Sequence, residues 1–405
     1  MIVTSIVSND VNAMTLPDVL QFALRQDPRL LEAKAEQDAA SQNRKSSESM
    51  HYPTVSLVSS RVLTQYHQYE SDYRRKTDIG VQSKLNLYAW GGIESSITRD
   101  KEKERFAYYK FFETREELGS TIANLYLKAI YFKESLFIAQ ANLRRHQLFL
   151  DHLRVVAKYD RGRQSEFAQV ESRYLNAEST ILDLERHLQT TLSRLNLYTP
   201  RKLQEKDLKD PFSKQTAEDF FRKYDKSNRD MHPSLLAQQA EVNSAKADIE
   251  VADAATKPQL NLEGTATRHN REIAVTFSWD LFNRPAHYNT QHANAKFYSV
   301  TARKDQLERD INERYETAKI EMVNSQKRAA TSKRHASVQT DVAKNYAEQF
   351  KVSRRSLLEV LDAYADLSRI EHAYVDARHE FRTATIAYLL AQAKIASWAG
   401  FAENL

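Results

Sequence analysis

From Ala286 to Ala399 the chain carries neither glycine nor proline, and no proline stands between Pro53 and Pro200. Glycine supplies left-handed turns and proline stops helices, so such stretches have few places to reverse direction. The whole chain is short of both, with 7 glycines and 8 prolines in 405 residues against averages of roughly 7% and 5%. These runs predict helices far longer than the usual 11–12 residues or so. Leu118, Ile122, Leu125, Ala129, Phe132 and Leu136 recur at helical spacing along a segment from about Ile93 to Tyr159, interrupted only by Gly119. At 1.5 Å per residue this is a rod of roughly 100 Å. One rod cannot bury its own stripe, so the long helices must pair with one another or with other chains.

The chain also repeats itself. When Pro28 is laid on Pro233, Asp27-Pro28-Arg29-Leu30-Leu31 meets His232-Pro233-Ser234-Leu235-Leu236, and Pro53-Thr54-Val55-Ser56-Leu57 meets Pro258-Gln259-Leu260-Asn261-Leu262. Farther on, Tyr159-Asp160-Arg161-Gly162-Arg163-Gln164-Ser165 meets Phe350-Lys351-Val352-Ser353-Arg354-Arg355-Ser356. Each half opens with a helix whose proline sits at the first turn, where its missing N–H has no helical partner. Two segments of period-two alternation follow, the mark of strands with one apolar face. In the second half Ile273, Val275, Phe277, Trp279 and Leu281 alternate with Ala274, Thr276, Ser278 and Asp280; in the first, Ile79, Val81, Leu85 and Leu87 face away from Gln82, Lys84 and Asn86.

This plan divides the chain into first-repeat helices at 15–50 and 91–197 around strands at 51–90, a linker at 198–231, and second-repeat helices at 232–257 and 286–399 around strands at 258–285. The linker is rich in Lys and Asp, with one short helix near Ala217–Tyr224. Residues 1–14 are expected to be a signal-peptide remnant, because Val11-Asn12-Ala13 resembles a small-x-Ala cleavage site. No segment approaches the roughly 18–20 apolar residues of a membrane helix, so any crossing would use strands. Glu272 to Phe282 matches the 9–11 or so residues of a tilted membrane strand, with Tyr52, Tyr88, Trp90 and Phe282 at the ends as an aromatic girdle. A soluble hairpin half-buried against helices would show the same alternation.

Catalytic signals are missing: there is no glycine-rich phosphate loop, no GxSxG, no HExxH, and no histidine pair at helical i,i+4 spacing. The chain is expected not to be an enzyme and to need no cofactor. Absence of cysteine removes thiol catalysis and cysteine-based metal sites. The formal charge of +5 comes from interspersed acids and bases, a solvated surface rather than a nucleic-acid footprint. Glu359 and Asp362, three apart at the start of the last long helix, put two carboxylates on one face. Acids in a first turn are also what the helix dipole favours.

In order and in duplication these motifs resemble the TolC-like outer-membrane efflux proteins, over about residues 15 to 400. The opening Leu16 to Leu31 with Asp27-Pro28, the two proline-led strand pairs, Tyr88-Ala89-Trp90-Gly91-Gly92 before the first rod and the two hairpin tips carry the resemblance. It implies a mainly α fold with a small β part: long antiparallel helical hairpins forming a trimeric α-barrel tunnel, plus four strands per chain in a shared 12-stranded transmembrane β-barrel. Closed membrane barrels need at least about 8 strands, so one chain could not suffice. The resemblance further implies a homotrimer in the Gram-negative outer membrane with its tunnel in the periplasm. Ile273, Val275, Phe277, Trp279 and Leu281 would then meet outer-membrane lipid.

In that family the hairpin tips dock a periplasmic adaptor (membrane fusion protein) and an inner-membrane transporter. Here they are Arg161, Gly162, Arg163 and Ser165, and Ser353, Arg354 and Ser356. Glu359 and Asp362 would line the pore constriction, six carboxylates in a trimer, able to bind divalent ions though not a resident metal. Arg355 matches a latch arginine. Phe350 stands where some members have a latch tyrosine, Ala168 where aspartate is usual, and Ser353 where glycine is usual, so a left-handed turn there would cost more. The arginine-rich tips and Leu357-Leu358-Glu359-Val360-Leu361-Asp362 resemble the type I secretion branch, which passes an unfolded protein from an ABC transporter. A drug or metal efflux duct is the alternative; a soluble coiled-coil scaffold is the reading from another class.

Overall fold

The computed structural model describes residues 14–61, 77–225, 231–268 and 270–401, with the side chain of Arg161 left out. Met1–Ala13, most of the expected signal-peptide remnant, lie outside them. The chain divides into two compact units, one of Leu31–Phe112 and His232–Arg309, the other of Met1–Leu30, Glu113–Met231 and Asp310–Leu405.

The first of these carries the strands. Helices α2 (Pro28–Glu48) and α6 (Pro233–Ala254) lead into them. At α6 the Ser234 N–H donates to His232 Nδ1 at 3.3 Å, beside the helix-opening proline. Strands β1 (Thr54–Arg61), β2 (Thr77–Tyr88), β3 (Gln259–Thr267) and β4 (Arg271–Ser278) form one antiparallel sheet in the order β1-β2-β3-β4. The register sorts the side chains cleanly. Leu57 pairs with Val81, Leu85 with Leu262 and Leu262 with Val275, while Ser56 pairs with Gln82, Lys84 with Glu263 and Asn261 with Thr276. Directly opposed residues share a face, so one side is apolar and the other polar. On the polar side Lys84 Nζ meets Glu263 at 3.1 Å and Asn86 Nδ2 donates to Asn261 at 3.0 Å. Gly80 permits the β2–β3 approach: a Cβ there would come within 2.4 Å of the Ala266 carbonyl.

The alternation runs on to Phe282 in the sequence, but the ladder ends at Ser278, opposite Gln259. Trp279 and Leu281, expected within the strand, therefore lie beyond it. Pro258, just before Gln259, has no N–H to extend the pairing, and the Trp279 indole donates instead to the Thr256 carbonyl at 3.2 Å. The chain then turns into α7 (Arg284–Lys351), whose Ala286 N–H is accepted by the Asn283 side chain at 3.1 Å.

The second unit is built on α1 (Leu16–Gln26), α4 (Gln164–Leu195), α5 (Ala217–Tyr224), α8 (Leu357–Ala391), α9 (Ile395–Trp398) and the greater parts of α3 (Gly92–Tyr159) and α7. Helices α3 and α7 have 68 residues each, and α3 passes unbroken through Gly119. That glycine is a contact point: a Cβ would press within 2.8 Å of the Ile395 side chain. The last helix, expected to run on to Trp398, stops at Ala391. Ala393 turns left-handed at φ 50°, with Ala393 N–H on the Leu390 carbonyl and Lys394 N–H on that of Leu389. The buried Glu116 carboxylate accepts the N–H groups of Ile395 and Ala396, holding the short α9 in place.

The Lys/Asp-rich segment before α6 is more than a tether. Leu203, Leu208, Phe212 and Phe220 are buried, and Phe212 packs on Trp398 with ring centroids 5.3 Å apart. Arg382, 1% exposed, reaches Glu134 through both terminal nitrogens at 2.8 Å and Asp210 through Nε at 3.0 Å. One buried guanidinium thus ties α3, the segment and α8 together.

Candidate functional site

Two hairpin turns close the second unit. In the first, α3 ends at Tyr159, a single 3₁₀ turn spans Arg161–Arg163, and α4 starts at Gln164. The Asp160 carboxylate accepts the Gly162 N–H at 2.9 Å, and Arg163 pairs with Glu166 at 3.0 Å. Ser165 is exposed. The second turn joins α7 to α8. Ser353 is left-handed at φ 58°, its N–H on the Phe350 carbonyl at 2.9 Å, and the Arg354 N–H reaches the Gln349 carbonyl at 2.9 Å. This is a Schellman closure with serine at the position glycine prefers. Arg354 is exposed.

Ser356 then caps α8. Its hydroxyl oxygen accepts the Glu359 N–H at 3.3 Å, while Glu359 Oε2 accepts the Ser356 N–H and Oγ–H at 2.9 Å each. Such a reciprocal box settles two otherwise unsatisfied donors. Arg355 donates to the other Glu359 oxygen and, through Nε, to Gln349 at 3.1 Å; its guanidinium lies 4.4 Å from the Tyr346 ring centroid. These donors, the Ser356 N–H first, then Arg355 and the Ser356 hydroxyl, hold the Glu359 carboxyl down to about 2. The structure therefore joins Arg355, Ser356 and Glu359 in one cluster. Asp362 goes elsewhere, to Arg173 of α4 at 2.8 Å. Among the described residues no group of three or more acids or histidines fits a metal ion.

Phe350, lacking a hydroxyl, packs against a buried cluster of Leu150, Leu153, Val170, Leu357 and Leu361, with Phe149 at 6.2 Å between centroids. Beside it a groove of about 770 Å³ is lined by Leu148, Phe149, Val156 and Phe350, with Arg163 and Lys351 among its charges. Farther from the turns Arg145 forks onto Glu371 at 3.1 and 3.2 Å. Arg173–Asp362 and Arg145–Glu371 both tie a first-repeat helix to α8. Neither pair was found by spacing, because each joins residues far apart in the chain. The Ser356-x-x-Glu359 spacing, by contrast, is that of a capping box and can be read locally. Between these pairs His146 is buried, with Nδ1 unpartnered; burial, then Arg173 and Arg145, push its pKa down.

Four antiparallel strands with one polar and one apolar face, two 68-residue helices and two helical turns make up the fold to be compared with known proteins. Residues 19–199 match the family model for the outer membrane efflux proteins. Among solved structures, the chain is similar to the outer membrane protein VceC of Vibrio cholerae, with a TM-score of 0.78 and 13% identity over 93% of this chain and 96% of that one. It is similar to the CmeC outer membrane channel of Campylobacter jejuni, at TM-score 0.81 and 13% identity over 96% and 87%. The open state of the MtrE outer membrane channel of Neisseria gonorrhoeae gives 0.77 and 16% over 96% and 93%. At these identities the likeness establishes the fold. No curated protein matches the chain by sequence.

Proposed function

We propose that this chain is the outer-membrane exit duct of a tripartite export system, a homotrimer that performs no chemistry of its own. The observation that carries this reading is the two-faced sheet with β1 and β4 at its edges. Open edges cannot face lipid, and three such sheets joined edge to edge would close a 12-stranded barrel, apolar outside and polar within. Ile273, Val275 and Phe277 would meet lipid. The family match and the channel fold support the same reading. The helical unit would stand in the periplasm with its turns toward the pump.

In this reading Glu359 and Asp362 line the constriction with their charge already answered by Arg355 and Arg173, and the Arg173–Asp362 and Arg145–Glu371 pairs hold the two repeats' hairpins together until a partner separates them. Arg161, Gly162, Arg163 and Ser165, with Ser353, Arg354 and Ser356, are the docking surface for the adaptor and the inner-membrane transporter. The arginine-rich turns support the type I branch, with an unfolded protein as cargo. A second reading, drug or metal efflux, is favoured by the family's description as efflux proteins.

Extraction from outer membranes, mass in detergent and single-channel conductance in planar bilayers test the duct. The expected result is a detergent-dependent trimer of low, cation-selective conductance. Replacing Glu359 and Asp362 together by alanine should cut that selectivity and divalent block, and Arg173→Ala should raise both by freeing Asp362. Unchanged selectivity in both variants would remove these carboxylates from the constriction. Photo-crosslinking from positions 163 and 354 in cells, read by mass spectrometry, separates the branches by capturing the adaptor of an ABC transporter or that of a proton-driven pump.

A further inference from the structure

The apolar face of the sheet ends differently at its two ends. At the end that continues into helices stand aromatic rings: Tyr88 and Trp90 meet edge to face at 5.2 Å between centroids, and Trp279 is anchored by its indole N–H. Such rings suit a membrane–water boundary. At the opposite end, where β1 stops and β3 turns into β4, the described residues hold no ring and three arginines instead. Arg61 is the last residue of β1, paired with Thr77, and Arg271 opens β4 opposite Ala266. By strand alternation Arg61 shares its side with Val55 and Leu57, and Arg271 with Ile273, Val275 and Phe277. Arg268 is exposed in the turn between β3 and β4, its N–H on the Asp78 carboxylate at 3.1 Å.

All three arginine side chains are exposed and make no ion pair among the described residues. The acids of this end among the described residues, Asp78 opposite Ser60 and Glu272 opposite Thr265, fall on the polar side. Among the described residues, Arg61 and Arg271 thus stand on the apolar side of this end and both acids on the polar side. An unpaired guanidinium is costly against hydrocarbon, yet each basic group beside an anionic surface contributes roughly fivefold in affinity. An occupant that satisfies both the arginines and the adjoining Ile273 and Val275 must carry phosphate and acyl chains together.

We propose that Arg61, Arg268 and Arg271 form a cationic rim that binds the phosphorylated diglucosamine of lipopolysaccharide in the outer leaflet. The proposal rests on the outer-membrane reading above and adds a specific lipid to it. The rim sets the depth of the barrel from outside, as the aromatic girdle does from the periplasmic side. The test uses full-length protein extracted in detergent, titrated with bisphosphorylated lipid A and with the same lipid dephosphorylated. The variants are the triple Arg61→Ser/Arg268→Ser/Arg271→Ser and the corresponding triple lysine. The expected result is binding of bisphosphorylated lipid at least tenfold tighter to the natural chain than to the serine variant, at least tenfold tighter than the dephosphorylated lipid, and within about threefold of the lysine variant. Equal affinity for the two lipids, or an unimpaired serine variant, overturns the rim while a conducting, detergent-dependent trimer leaves the duct standing. A chain recovered in water without detergent overturns both.

Discussion

The two hairpin turns descend from one repeated plan, yet equivalent positions meet different fates. Tyr159 is 89% exposed, whereas its counterpart Phe350 packs on Phe149. Ser165 lies inside α4, whose N-cap is Arg163, while Ser356 caps α8 and engages Glu359 on both sides. Glu166 is half-buried beside Arg163, while the equivalent Leu357 is buried. Within the first turn the bonds are local and polar and contribute little each, and burial begins only farther along its helices, at Leu153 and Val170. The second is held by burial, a cap and a Schellman closure. Within a duplicated scaffold one tip is more firmly set than the other.

Substitutions at matched positions should break that contrast in a graded way. Leu357→Ala should cost about 2–5 kcal/mol, as a buried leucine does, and lower the urea midpoint of the helical signal, whereas Glu166→Ala should stay within about 0.5 kcal/mol. Equal losses would erase the difference between the turns. Ser356→Ala should cost about 1 kcal/mol through the lost cap, with Ser165→Ala silent in the same assay. Ser353→Gly should stabilise by about 0.5–1 kcal/mol, because glycine accepts the left-handed backbone that serine resists; a loss instead would mean the serine side chain is needed.

The finest separation is by pH. The Glu359 carboxyl is depressed to about 2, so it favours the closed second turn fully above its unfolded value of about 4.3 and progressively less as pH falls toward 2. Glu359→Gln should flatten that limb in a pH series of hydrogen exchange at residues 356–360, with no such limb at 160–166. Burial lowers the pKa of His146, and likewise of His372 and His379 on α8. These rings gain their proton more readily on opening, so the helical unit should begin to weaken as pH falls through about 6.5. His146→Asn should reduce that slope.

Much of the fold was legible because its signals are periodic. Proline-led helices, uninterrupted rods and the alternation of Ile273, Val275 and Phe277 follow from local chemistry. The strand ends were less so: alternation persists through Trp279 and Leu281, but pairing depends on a partner, and Pro258 cannot donate. The Lys/Asp-rich segment looked like a linker because its composition is polar, while Phe212 and Phe220 bury themselves and Asp210 answers Arg382. Likewise Glu359 and Asp362 were visible as a pair of acids, but that each belongs to a different arginine depends on which helix lies alongside, which spacing does not encode.

The seam between β2 and β3 joins the two repeats, and its Asn86–Asn261 bond spans 175 residues of sequence. Chain closure over such a distance is slow and entropically costly. While the chain is being synthesised, β1 and β2 emerge long before the strands that cover their edge. The first half therefore waits with an unpaired strand exposed, a hazard for mispairing. Sheet completion must therefore be a late event in the life of this molecule, one that waits until both halves have been made.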